Sequence, residues 1–184
     1  MNIRPYEEKD KENVRFVCLN SDGPCKLDEK GQHFILTTYC DYFIEQEPEN
    51  CFVATDENDR AVGYILCAED YDKFIKVFRK EYTSRFGKFN LADRIKSIGA
   101  SFFQLVYKKE YPAHMHIDLL PEYQRMGLGH KLTDALCEHL KKKGVKGINL
   151  TMSAANKKGG GFYRKYGFTL IADKFTANVF ALKL

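Results

Sequence analysis

One run of residues limits the folds open to this chain more than any other: His114-Met-His-Ile-Asp-Leu-Leu-Pro121-Glu-Tyr-Gln124-Arg-Met-Gly127-Leu-Gly129-His-Lys-Leu132. An apolar strand breaks at a proline, passes through two glycines spaced two apart, and enters a helix striped with Leu128, Leu132, Leu136 and Leu140. That order leaves free backbone N–H groups at the start of a helix, the place where an anionic phosphate is bound. Glycine belongs there because the backbone must approach the anion with no Cβ in the way.

Two common phosphate motifs do not fit. A P-loop needs Gly-Lys-Ser/Thr after its glycines, and the chain contains none. A dinucleotide turn needs a third glycine three residues after the second, and Leu132 stands there.

The remainder reads as alternating strand and helix. Asn2 to Pro5 predicts a strand, and Glu7 to Leu19 a helix. Residues 25–33 read as polar loop, and Phe34 to Gln46 as a second helix. Cys51 to Thr55 and Ala61 to Ala68 read as a hairpin across a short polar link. Residues 70–110 carry two helical patterns, at 72–81 and 91–107, rich in Lys and Arg (Lys73, Lys76, Arg79, Lys80, Arg85, Lys88, Arg94 and Lys96). They read as a helical insertion, either a solvated face or a lid over a substrate. Strand 113–120, helix 128–142, strand 147–152, a short helix at 160–166 and strands at 168–172 and 179–184 complete an α/β chain with a mixed sheet. The 184 residues form one domain, with the insertion inside it.

Composition narrows the function. A formal net charge of +4 is too mild for a nucleic-acid binder. No apolar run is long enough to span a bilayer, and no secretory leader is read at Met1. The six cysteines form no CxxC pair and several sit in apolar runs, which predicts buried thiols in a reducing, cytoplasmic setting. Nothing argues for Cys137 as a nucleophile.

A second motif follows the first. Asn156-Lys-Lys-Gly159-Gly-Gly-Phe162-Tyr163-Arg-Lys-Tyr166-Gly167-Phe168 resembles motif B of the GCN5-related N-acetyltransferases. Gln124, Gly127 and Gly129 match that family's Gln/Arg-x-x-Gly-x-Gly/Ala motif A. Gly159 stands where the family usually has alanine. The run from Tyr111 to Pro121 also resembles the acetyltransferase-like region associated with some O-GlcNAc hydrolases.

The resemblance implies the acyl-CoA N-acyltransferase fold, a mostly antiparallel twisted sheet flanked by helices, with the insertion before the fourth strand. It implies an acetyl-CoA-dependent N-acetyltransferase, acting as monomer or homodimer on an unidentified amine by direct attack. The second reading is a silent acyl-CoA-binding module. Main-chain N–H groups of Arg125, Met126, Gly127, Leu128, Gly129 and His130, together with Gln124, would hold the pyrophosphate. Leu119 and Leu120 would line the pantetheine arm, and the Leu119 N–H would meet the thioester carbonyl. Asn156 would touch the arm or cap the next helix. Tyr163 would protonate the departing thiolate.

The base is open among His116, Asp118 and Glu69. His114, His116, Asp118 and Leu120 share one side of their strand by its period of two. The same alternation could make a metal face, but no further ligand is evident and none is predicted. Lys141 to Lys143 reads as a solvated helix end, with a contact to the coenzyme's 3′-phosphate as the other possibility.

Overall fold

The computed structural model describes residues 1–87, 90–174 and 176–184. Lys88, counted above among the basic residues of the insertion, lies outside them. The elements in chain order are β1 (Asn2–Pro5), α1 (Lys11–Asn20), α2 (Glu29–Leu36), α3 (Tyr42–Gln46), β2 (Phe52–Thr55), β3 (Ala61–Ala68), α4 (Tyr71–Val77), α5 (Leu91–Ala100), α6 (Phe102–Tyr107), β4 (Ala113–Leu119), α7 (Leu128–Lys142), β5 (Gly147–Ser153), α8 (Lys157–Tyr166), β6 (Thr169–Asp173) and β7 (Ala177–Lys183). The strands form one sheet in the order β1-β2-β3-β4-β5-β7-β6. Every neighbouring pair is antiparallel except β4 with β5.

Helices cover both faces of the sheet, so β3 is buried along its whole length. Its alternate residues feed two cores. Val62, Tyr64 and Leu66 pack with α1, α3 and α4 through Val14, Val17, Phe43 and Phe74. Ile65 and Cys67 face the leucine stripe of α7, together with Met115, Ile148 and Phe180. All four leucines of the stripe are buried. The end of α7 is fixed by Gly144 in a left-handed conformation (φ 73°). Val145 N–H donates to Leu140 O and Gly144 N–H to Lys141 O, the Schellman arrangement.

Three sequence expectations are corrected. Residues 25–33 are not all loop: α2 begins at Glu29, where Asp28 accepts from the Gly31 N–H at 2.8 Å. The exposed Glu29 and Lys30 concealed this turn, which has no apolar period. The helix predicted from Phe34 to Gln46 is interrupted by a π turn over Thr37–Asp41. The helix predicted over 91–107 breaks at Ser101, whose hydroxyl donates to Ile98 O at 2.9 Å and lies 3.3 Å from Tyr71 Oη. The basic helix end is also only partly solvated, because Lys143 pairs with Glu69 and donates to Asn50 Oδ1 at 3.0 Å.

His114, on β4, is packed among the rings of Phe43, Phe74 and Tyr71. Burial alone lowers its pKa from 6.5 to about 3. The unfolded chain therefore takes up a proton below pH 6.5 that the folded chain refuses until pH 3. Stability should fall with pH across that window by up to about 1.4 kcal/mol per pH unit from this group. Chemical denaturation of His114→Phe at pH 7 and pH 4.5 should show a flatter pH dependence than the parent. An unchanged slope would assign acid lability to other groups.

Candidate active site

The site is built on a parting of two strands. β4 and β5 pair only at Ala113 with Ile148 and His114 with Asn149. Beyond those residues the strands diverge into a wedge. Asn149 fastens the closed end: it is fully buried, and its side-chain amide donates to Tyr111 O at 2.9 Å and Ala113 O at 3.1 Å.

The other edge of β4 stays bonded to β3. Leu120 N–H donates to Val62 O at 3.0 Å. In an antiparallel ladder successive residues alternate between the two neighbours. The Leu119 N–H therefore points away from β3 and into the wedge. Leu119 C=O, on the same side, accepts from Gln124 Nε2 at 3.0 Å. The strand lies close to its neighbour here: a Cβ on Gly63 would stand 2.2 Å from Leu119 Cδ2 and 3.1 Å from Asp118 O.

At the open end, Pro121 to Tyr123 makes one 3₁₀ turn before the glycine segment. Arg125 (φ 62°) and Gly127 (φ 80°) both adopt left-handed backbone, and Gly127 is the N-cap of α7. Lys131 N–H is bonded to Gly127 O. Among the described residues no main-chain acceptor outside α7 takes the N–H groups of Arg125, Met126, Gly127, Leu128, Gly129 or His130. These donors lie at the N-terminus of a 15-residue helix, where the helix dipole favours an anion.

The two glycines have different causes. Gly127 has open space where a Cβ would be, so its left-handed backbone is what requires glycine. Gly129 is buried, and a Cβ would meet the Phe162 ring at 3.1 Å. It admits α8 to the wedge. Gln124 does not enter the cradle with its side chain, which bridges Leu119 O and Ser21 O. The His130 ring packs against Phe162 and Tyr166.

α8 brings Tyr163 to the wedge. Asn156 caps the helix by accepting from Gly159 N–H at 2.9 Å, so its carbonyl is occupied and its amide N–H groups are left for other contacts. Tyr163 is 9% exposed and packs on Phe162, Phe168 and Phe180. Burial, and then the Asp118 charge, raise its pKa above the ordinary phenol value.

On the opposite face of β4, Tyr64 joins the two candidate bases. Its hydroxyl donates to Asp118 Oδ2 at 2.6 Å and lies 3.0 Å from His116 Nδ1. With its proton committed to the carboxylate, Tyr64 Oη accepts from Nδ1–H, leaving Nε2 of a neutral His116 as a proton acceptor. Tyr39 stacks on the same imidazole. Burial raises the Asp118 pKa, against the opposing effects of His116, Tyr64 and Ser21.

Glu69 is drawn elsewhere: burial would raise its pKa, but Lys143 and Asn50 outweigh that and lower it. Cys18, unrecognised in the sequence, completes a group with His116 and Asp118 whose ligand atoms lie within 4.8 Å of one another. His114 is not in that group.

A cavity of about 300 Å³ adjoins the wedge, bordered by Tyr39, His114 and His116 and roofed by Ser97, Ser101 and Gln104 of the insertion. The insertion is thus a wall of this cavity as well as a solvated surface. Tyr39, Phe43, Phe74 and Phe103 are the aromatic residues that line it. Tyr42 and Phe78 are in the core and Phe102 is exposed.

The sequence profile of the Acetyltransferase (GNAT) family matches residues 17–168. The chain belongs to the GNAT family. N-alpha-acetyltransferase 30 of Schizosaccharomyces pombe is 28% identical over 127 residues, covering 69% of this chain and 62% of the relative. The [Ribosomal protein bS18]-alanine N-acetyltransferase of Escherichia coli K12 is 30% identical over 93 residues, covering 50% of this chain and 62% of the relative. The matches thus span about 62% of the length of these relatives.

Among solved structures, SsHAT superposes with a TM-score of 0.88 at 26% identity, over 99% of this chain and 97% of that one. Ard1 from Thermoplasma volcanium shares the fold, with a TM-score of 0.63 at 19% identity over 100% and 97% of the two chains. The seven-stranded, mostly antiparallel sheet with flanking helices is the GNAT acyl-CoA N-acyltransferase fold. No helix among the described residues is long and apolar enough to cross a membrane.

The separate demands on the two glycines can be tested. Gly127→Ala forces a Cβ into left-handed backbone and should cost about 1 kcal/mol of stability while weakening CoA binding. Gly129→Ala should instead displace Phe162, lowering thermal stability and altering the ring's NMR environment. Indistinguishable behaviour of the two variants would remove the distinction.

Proposed function

We propose that the protein is an acetyl-CoA-dependent N-acetyltransferase in which the acceptor amine attacks the thioester directly. The observation that carries this is the Leu119 N–H, which the β3–β4 ladder turns away from β3 and towards the parting of β4 and β5. Acetyl-CoA would supply the activated acetyl group.

The free N–H groups of residues 125–130 would bind its pyrophosphate, and the exposed edges of β4 and β5, near Leu119 and Leu120, would flank its pantetheine arm. The side-chain amide of Asn156 would reach the same arm. The Leu119 N–H would stabilise the negative charge that builds on the acyl oxygen; such a donor is worth about 3 kcal/mol in a transition state. His116 Nε2, backed by Tyr64 and Asp118, would take the proton that the acceptor ammonium must lose. As the carbon–sulfur bond breaks, Tyr163 would pass its hydroxyl proton to the sulfur. Its raised pKa keeps that proton in place throughout the neutral range.

Tyr163→Phe should lower kcat by about 10²–10⁴ with little change in CoA affinity, measured by thiol release and calorimetry. If CoA binds but no amine in a broad panel releases thiol above hydrolysis, the protein is a silent acyl-CoA-binding module.

The pH profile gives a second test. Asp118 must be ionised to support the relay, and burial raises its pKa. Activity should therefore be lost as pH falls through that raised value. Asp118→Asn should lower kcat and remove that limb, and an unaltered acid limb would exclude Asp118 from the relay.

A further inference from the structure

We propose that the cavity beside the wedge is the acceptor pocket, and that it selects a small primary amine with an uncharged, partly aromatic body bearing a hydrogen-bond donor. This rests on the acyltransferase reading, and it names the substrate class that reading leaves open.

The argument is one of unpaired polar atoms. Thr38, Gln104 and His114 line the cavity and are 6%, 6% and 5% exposed. In each, one polar atom (Thr38 Oγ1, Gln104 Oε1 and His114 Nδ1) is buried with no hydrogen-bond partner. A buried polar atom without a partner forfeits the hydrogen bonds it made to water, so three around one void are a costly arrangement unless a ligand answers them.

Their origins are independent. Thr38 lies in the π turn that interrupts the α2–α3 helix. Gln104 comes from the insertion and spends its amide N–H on Thr151 Oγ1 at 3.2 Å, which leaves its carbonyl oxygen bare. His114 comes from β4, held by aromatic rings with no charge beside it. A carbonyl oxygen accepts only, and a hydroxyl can do either. The complementary ligand group is a donor, such as a hydroxyl or an amide N–H.

The rest of the lining sets the body of the ligand. Phe43, Phe74, Phe103 and Tyr39 give it aromatic walls. Among the described residues no Asp, Glu, Lys or Arg borders the cavity. A second ammonium would find no carboxylate, and a ligand carboxylate would find no cation, so both would be desolvated without compensation. A volume of about 300 Å³ lies at the small end of ligand sites. His116, the proton acceptor of the relay, borders the same space, so an amine held here stands next to its base.

The test compares acceptors with the 184-residue chain and acetyl-CoA, following thiol release. Tyramine should exceed phenethylamine, which lacks only the hydroxyl, by about tenfold in kcat/KM. It should also exceed spermidine, phenylalanine and an alanine-leading tetrapeptide by at least that factor. Gln104→Leu, checked for retained CoA affinity, should bring the tyramine-to-phenethylamine ratio down towards one. Turnover of spermidine, phenylalanine or the peptide at or above the tyramine rate would overturn the pocket's selectivity and leave the acyltransferase reading standing. Equal rates for tyramine and phenethylamine would do the same. Bound CoA with no thiol release from any amine would overturn both.

Discussion

The separation of β4 from β5 is the constraint on which the rest of the structure depends. A sheet continuous at this point would spend the Leu119 N–H on a neighbouring strand. The pairing is confined to Ala113 with Ile148 and His114 with Asn149, and Asn149 holds the carbonyls of Tyr111 and Ala113 at this closed end. The energetic cost of unpaired strand edges is borne by the packing on either side. The leucines of α7 support β3, β4 and β5 from one face, and the aromatic core around Phe43 and Phe74 supports the other.

That division also separates the tasks of the site. The α7 face carries the glycine turn with its unbonded N–H groups and, through α8, Tyr163. The opposite face carries Tyr64, His116 and Asp118. β4 passes between them, and its period of two sends Leu119 towards one set and Asp118 towards the other. Tyr163 and Asp118 therefore lie on opposite sides of a single strand, each with its pKa raised mainly by burial.

Much of this was legible in the sequence because it is local. The leucine stripe, the hairpin, the glycine turn and the Asn156–Phe168 motif are short-range patterns, and the structure keeps them. What was missed is non-local or lacks a period. Tyr64 meets Asp118 from 54 residues away along the chain. Asn149 is a polar residue inside an apolar run. Cys18 and Gln104 reach the site through packing that no spacing encodes. Glu29 opens a helix whose exposed face hides its start. Gly129 was read as making room for phosphate, but its nearest constraint is the Phe162 ring.

The bridge made by Gln124 has a mechanical meaning. One amide group ties Ser21, just beyond α1, to Leu119 at the end of β4. Ser21 in turn acts on the Asp118 carboxyl, opposing the rise in pKa that burial causes. The residue that precedes the glycine turn is thereby fastened to the segment beside the base. A ligand that immobilised that turn would remove slack from the far wall as well, lowering the ordering cost left to a second ligand. Sequential occupancy in such a site needs no hinge and no domain movement; a single side chain shared by two segments is sufficient.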